Sequence, residues 1–489
     1  MRGPVRFRAS RYNVCFLWKD TARCFVMNTL WGTGAIVPLR IVKSLLREER
    51  FAERKGMDSG VLAQLHELGF VYREDLDELC YLRSLIRGQL VVASDLGLTI
   101  LPTARCNFDC DYCYEGPKPK YPSSDMSQRV ARDVVDFAAG RINRLGGLRV
   151  TWYGGEPLLG LKWIRFISSG LLKACSALKR SYSAGIVTNG YLLTAEVARE
   201  LATQHRVSSV QITIDGPPEV HNTRRVLKRK RGAPTYETVA QNAANAARYI
   251  RTVKVRINVG PHNASARGIK EVVDDVRKRA GKYASHIRFH LGYLRARETC
   301  DIWREQLPIS EHIKLVGALE QYTAVGEEAL SVEAISRRLR ARFLQPQVCG
   351  SVLNPNAFTI DPRGRLHKCW ENVLDPESSF GNVSEPVDYS QPNLWKWLGL
   401  DLFDYKPCLE CSMFPVCLRG CPRHFTTNRE KRVRMHQQCS TAMVEDELAF
   451  AAWVGFEEHF GEAPETLIIL DSENLEDRSV RLSRGEAKA

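Results

Sequence analysis

From residue 98 to residue 294 the chain alternates two hydrophobic rhythms. Short runs of branched and aromatic residues at 98–102, 148–153, 184–188, 209–214, 253–259 and 287–294 predict strands. Between them, residues 126–143, 161–178, 194–205, 236–250 and 264–280 place apolar side chains at helical spacing. Six strands separated by five helices imply right-handed crossovers and a parallel sheet. Such a sheet is either doubly wound or curled into part of a barrel, and periodicity does not choose between the two.

The flanks have other patterns. Residues 1–95 hold two β-like runs, 14–18 and 24–27, then helical patterns and LHELGFVYRED, which together predict a small α+β unit of winged-helix type. Residues 311–322 and 332–343 predict two connecting helices within a bridge spanning 301–345. Residues 346–440 are loop-rich in Pro, Gly, Asn and Cys, as expected where metal sites replace an apolar core. Within 441–489, residues 443–460 have helical spacing and 471–489 are expected to be a mobile tail. The central strand–helix domain accordingly spans 96–300.

Composition narrows the class. Hydrophobic residues make up 44% and charged residues 26%, which excludes a disordered or fibrous chain. No apolar stretch reaches the roughly 18 to 20 residues of a membrane helix. The apolar run at 14–18 is too short for a signal peptide and lacks a cleavage pattern, so a cytoplasmic protein without a membrane partner is expected. A net charge of +14 favours acidic partners, either nucleic acid or an acidic peptide.

The 15 cysteines change the picture most, because in a long chain without an export signal they point to metal or redox chemistry. Cys15, Cys24, Cys80, Cys175 and Cys300 are scattered and read as small buried hydrophobes. Cys106, Cys110 and Cys113 form CNFDCDYC directly after the first central strand. Three thiolates in one loop can hold three irons of a cubane and leave the fourth open, whereas a closed zinc tetrahedron needs a fourth ligand.

CNFDCDYC resembles the hallmark of the radical SAM superfamily, C-x3-C-x-aromatic-C after the first strand of a (β/α)6 partial TIM barrel. The resemblance extends in order to YGGEP (153–157), TNG (188–190) and TIDGP (213–217), each at a carboxyl strand end, where parallel αβ folds build their sites. It implies that Tyr112 lies against the adenine of S-adenosylmethionine and that Gly154, Gly155, Glu156 and Pro157 meet its methionyl amino group. By the same resemblance, Thr188, Asn189 and Asp215 contact ribose, carboxylate or substrate. No catalytic acid or base is legible.

A second resemblance covers about 90 residues. Cys349, Gly364 and Cys369, then Cys408, Cys411, Cys417 and Cys421, then Cys439 follow the seven-cysteine SPASM pattern, which implies two auxiliary [4Fe-4S] clusters. Carried over, Cys408, Cys411, Cys417 and Cys439 hold the outer cluster, and Cys349, Cys369 and Cys421 the inner one. The upstream cysteine that completes the inner cluster in sulfatase maturases is missing from residues 341–348, which leaves an open iron, Cys300 or a non-cysteine ligand. Trp370 stands where those maturases place an aspartate thought to act as base.

The resemblance implies an enzyme with S-adenosylmethionine and three [4Fe-4S] clusters. It would generate a 5'-deoxyadenosyl radical and crosslink a ribosomally made precursor peptide through a thioether, carbon–carbon or carbon–oxygen bond. Its expected partners are that peptide, with a leader segment bound by residues 1–95, and an external electron donor of flavodoxin or ferredoxin type, with no nucleic acid. The alternatives are an anaerobic sulfatase maturase forming formylglycine, which Trp370 disfavours, and a non-catalytic iron–sulfur redox-sensing regulator. The basic run RRVLKRKRG (224–232) reads as a solvated loop that an acidic substrate could contact.

Overall fold

The computed structural model describes residues 6–18, 21–46, 50–51, 59–91, 95–113, 125–293, 315, 319, 349–350, 354–373, 375–418, 421–422, 448, 452, 455–456, 459–461, 466–470 and 478–481. The predicted helices at 311–322 and 332–343, Cys300 and Cys439 lie outside them, apart from the helical residues Leu315 and Leu319. Contacts divide the chain into two units, one of residues 1–92, 324–349 and 401–489, the other of residues 93–323 and 350–400. The loop-rich segment expected as one domain, 346–440, is therefore shared between the two units.

In the first unit, β1 (Phe7–Ala9) pairs antiparallel with β5 (Arg50–Phe51) and β6 (Val71–Arg73). The two predicted strands form a hairpin, β2 (Asn13–Trp18) with β3 (Arg23–Asn28), and β4 (Thr33–Pro38) extends it. Alternation sends Val14, Phe16, Phe25 and Met27 to one face and Cys15, Cys24, Val26 and Val37 to the other, and both faces are buried.

The other edge of that sheet is built from the far end of the sequence. Thr466–Leu470 pairs antiparallel with β2, and Arg478–Arg481 pairs in turn with Thr466–Leu470. Residues 478–481 fall inside the segment expected to be a mobile tail. RSVR is too short and too charged to read as a strand by itself, and it is held by main-chain pairing. Cys80 also departs from expectation: it is exposed on a helix, whereas Cys15, Cys24 and Cys175 are buried.

In the second unit the six predicted strands are β7 (Leu96–Ile100), β8 (Gly147–Trp152), β9 (Ser181–Thr188), β10 (Val207–Thr213), β11 (Thr252–Val259) and β12 (Ile287–Tyr293). All pair in parallel with their sequence neighbours, in the order β12-β11-β10-β9-β8-β7. The order never reverses, so right-handed crossovers put every helix on one face, and this is the partial-barrel alternative. Ser127, Thr194 and Ser265 cap three of the helices by accepting the N–H of Val130, Val197 and Gly268.

The outer edge of β7 is closed by β13 (Ala357–Ile360), which runs parallel to it and continues antiparallel into β14 (Leu366–His367). Phe358 packs edge-on against Phe137 at 5.4 Å and helps cover that edge. No helix among the described residues is long and apolar enough to cross a membrane.

Leu467 is fully buried between β2 and the residues around Phe456. Leu467→Ala should destabilise the first unit by about 2–5 kcal/mol through the lost burial and the cavity left behind. Denaturant unfolding followed by tryptophan fluorescence checks this, and no change in midpoint would mean the strand is not docked in solution.

Candidate active site

Past β7 the chain crosses the carboxyl end of the sheet as a loop carrying Cys106, Cys110 and Cys113. Main-chain bonds fix it on two sides. Glu156 N–H donates to the Arg105 carbonyl at 2.8 Å. On the other side Asp109 N–H reaches the Val226 carbonyl at 2.8 Å and Lys228 N–H the Asn107 carbonyl at 2.9 Å, so Phe108 and Leu227 form an antiparallel bridge. Phe108 is buried beneath, edge-on to Tyr191.

The three thiols lie within electrostatic reach of one another. Burial, then the Glu156 carboxylate, then Cys110 and Cys113 push the Cys106 thiol up to about 12. Burial also raises the Cys110 thiol, against the pull of Arg225. Ionising such a set requires a cationic centre to neutralise it, and a metal cluster supplies one. Among the described residues no three His, Cys, Asp or Glu side chains converge on one ion. A cubane does not ask for that, because it takes one thiolate per iron.

Glu156 sits at the end of β8 and is completely buried. Its carboxylate accepts the Thr188 hydroxyl at 2.7 Å, Asn189 N–H at 2.8 Å and Leu158 N–H at 3.0 Å. Desolvation raises its pKa and these three donors oppose the rise. Pro157 follows as the first residue of a short 3-10 turn that Glu156 caps. Gly154, at φ +127°, and Gly155 allow the approach of this turn to the cysteine loop. A Cβ on Gly155 would stand 2.4 Å from the Arg105 carbonyl oxygen, and one on Gly154 2.4 Å from that of Thr103.

Asn189 continues the chain of contacts. Its side-chain amide donates to Asn107 Oδ1 at 2.7 Å and lies 3.9 Å from Cys106 Sγ. YGGEP, TNG and CNFDCDYC, far apart in sequence, are thus one hydrogen-bonded body.

Tyr112 and Asp215 form the other wall. The Tyr112 hydroxyl donates to Asp215 Oδ2 and accepts from Arg225 Nη1 and, at 3.3 Å, from Asn258 Nδ2. Burial raises the phenol well above its ordinary value, so it stays protonated. The Arg224 guanidinium lies over the Tyr112 ring, 4.7 Å from its centroid, with Asp111 at 3.6 Å.

Sequence reasoning missed His221, Arg224, Arg225 and Asn258. Arg224 and Arg225 belong to the run read as solvated, yet both are buried. The apolar Val226 and Leu227 after them are the signal that the chain turns inward there.

Several polar atoms in this wall are buried without a hydrogen-bond partner: Asp215 Oδ1, His221 Nε2, Arg225 Nε and the three guanidinium nitrogens of Arg224. Buried polar groups are ordinarily satisfied, so orphans of both signs at one strand end mark a place for a ligand. S-adenosylmethionine carries an ammonium, a carboxylate and ribose hydroxyls, and both this wall and the thiol set fit the group the motifs imply.

Cys408 and Cys417 lie on two short helical turns, Lys406–Leu409 and Phe414–Cys417, with Cys411 between them, and Cys411 and Cys417 pack against the β2–β3 face. The Thr29 hydroxyl donates to the Ser412 carbonyl and ties that segment down. Cys369 is buried and precedes Trp370, which stacks on Tyr153 of YGGEP at 5.3 Å and 13°.

Residues 100–275 match the family model of the Radical SAM superfamily, so the barrel is a radical SAM domain. An uncharacterized protein of Methanocaldococcus jannaschii is 29% identical over 119 residues, 24% of this chain, and the chain spans 38% of that relative's length. The structure of native anSMEcpe with bound AdoMet and the Cp18Cys peptide is 19% identical, covers 73% of this chain and 99% of its own, and superposes with a TM-score of 0.54, a likeness of fold. Streptococcus suis SuiB bound to precursor peptide SuiA is 14% identical, covers 87% of this chain and 97% of its own, and has a TM-score of 0.48.

Two outcomes test the site. Glu156→Gln places an amide N–H against one of three donors, so it should cost about 1–3 kcal/mol of stability and weaken S-adenosylmethionine binding; calorimetry of both quantities checks it. His221 is buried, and desolvation followed by Arg225 holds its pKa well below 6.5. Protons then bind the unfolded chain first. The metal-free chain should therefore lose stability as pH falls below 6.5, and the loss should be smaller in His221→Gln.

Proposed function

We propose that this chain is a radical SAM peptide maturase that installs a crosslink in a ribosomally made precursor. The observation that carries the reading is the single network joining the cysteine loop to Glu156, Thr188 and Asn189, with Tyr112 and Asp215 as the opposite wall. When bound, a [4Fe-4S] cluster and S-adenosylmethionine supply a 5'-deoxyadenosyl radical able to take hydrogen from a side chain.

This chain's residues bind and orient. Cys106, Cys110 and Cys113 would hold the cluster through their three thiolates. Gly154, Gly155 and Pro157 form the turn that receives the amino group, and Glu156 fixes that turn. Thr188, Asn189 and Asp215 hold the ribose and carboxylate end, and the Tyr112 ring borders the adenine. Burial of this wall keeps water from the reacting atoms.

A peptide substrate is supported by the SPASM-like cysteine pattern and by the fold shared with a peptide-bound enzyme. Cys408, Cys411, Cys417 and Cys439 are the proposed outer-cluster ligands, and Cys349, Cys369 and Cys421 the inner ones. The leader is assigned to the first unit, where β4 is an outer strand whose main chain can pair with an extended peptide. Trp370 disfavours formylglycine formation, because an indole cannot take a proton as a carboxylate does.

Anaerobic reconstitution should load about twelve irons per chain, and replacing Cys106, Cys110 and Cys113 together by Ala should remove about four. Formation of 5'-deoxyadenosine should disappear in that variant. Iron analysis and chromatography check both, and continued cleavage would overturn the assignment.

A further inference from the structure

Six of the eight residues from Arg224 to Arg231 are cationic, and the fold sorts them. Arg224 and Arg225 are buried and face Asp111 and Asp215. Lys228, Arg229, Lys230 and Arg231 are exposed. Arg231 pairs with Asp109, while Lys228, Arg229 and Lys230 have no carboxylate at ion-pair distance among the described residues. Three uncompensated cations in sequence therefore face solvent.

Their place is fixed by the cysteine loop. Lys228 N–H bonds the Asn107 carbonyl, one residue from Cys106, and Arg231 bonds Asp109, one residue from Cys110. The Ala233 N–H to Lys230 carbonyl bond closes the turn that presents them. None of the four hydrogen-bonds to Glu156, Thr188, Asn189 or Asp215, the residues assigned to S-adenosylmethionine. A peptide that loses hydrogen must touch the nucleoside. An electron carrier must only come close to the cluster, and this patch is bonded to the cluster's own loop.

Resting on the function proposed above, we infer that Lys228, Arg229, Lys230 and Arg231 form the docking surface for an acidic one-electron carrier protein that reduces the cluster on Cys106, Cys110 and Cys113. With a flavodoxin as carrier, the anionic flavin hydroquinone is oxidised to the neutral semiquinone and the cluster is reduced from its 2+ to its 1+ state. One electron moves, and no bond or proton changes place. Charge complementarity of this kind governs association rate and is screened by salt.

The test is stopped-flow reduction of the cluster-loaded full chain by an acidic flavodoxin hydroquinone at low and high ionic strength. Wild type is compared with the triple variant Lys228→Gln, Arg229→Gln, Lys230→Gln. The wild-type bimolecular rate should fall steeply with salt. The variant should be about tenfold slower at low salt and nearly insensitive to salt. Reduction by the cationic methyl viologen radical should not slow, and the iron content and spectrum of the reduced cluster should be unchanged.

Equal flavodoxin rates in the two proteins would overturn the inference. So would an unchanged flavodoxin rate together with lost binding of a poly-glutamate peptide, which would make the segment a peptide contact. A wild-type chain that takes up no cluster would instead overturn the functional reading beneath it, and the missing cluster absorbance distinguishes that failure.

Discussion

The arrangement of the site depends on one buried carboxylate. Glu156 has no exposed surface, and an unpaired charge there would cost several kcal/mol. It is tolerated because three donors from two strand ends point at it. The dependence runs both ways, since Thr188 and Asn189 are held where they are by the charge they satisfy. Asn189 in turn touches the loop that carries Cys106, so the burial cost of one side chain is converted into the relative placement of three motifs.

The opposite wall uses charge differently. Asp215 and Arg225 are both buried, 3.8 Å apart, with the Tyr112 hydroxyl bonded to each. Breaking one member of such a set strands the others, which makes the wall rigid at the cost of tolerance to substitution. Its orphaned atoms are the exception to that satisfaction, and they face the same strand ends as the motifs.

Much of this was legible before any coordinates. The six barrel strands and five of the helices fall within a few residues of their predicted positions, because long periodic segments are governed by burial of one face. Periodicity alone did not give the winding direction, since right-handed crossovers are compatible with both sheet types and only strand order separates them; the partial barrel was legible through the resemblance of CNFDCDYC to the radical SAM hallmark. The edge role of Ala357–Ile360 was hidden for a similar reason: a four-residue run, AFTI, carries no record of its partner. Of the site, the cysteines, glycines and Glu156 stand in motifs. Arg224 and Arg225 do not, and charge alone misplaced them in solvent.

The sheet that joins residues 13–38 to residues 466–481 has a consequence for biosynthesis. During translation the β2–β3–β4 meander emerges early, while its partner Thr466–Leu470 is made more than four hundred residues later. Until then β2 presents an unpaired main-chain edge and the Val14, Phe16, Phe25 and Met27 face lacks Leu467 and Phe456. The barrel strands β7–β12 pair with their sequence neighbours, and β13, which closes the β7 edge, is also made before residue 466, so this sheet can form in the interval. A segment made early is thus completed late, and its edge and apolar face stay open to wrong pairings in the interval.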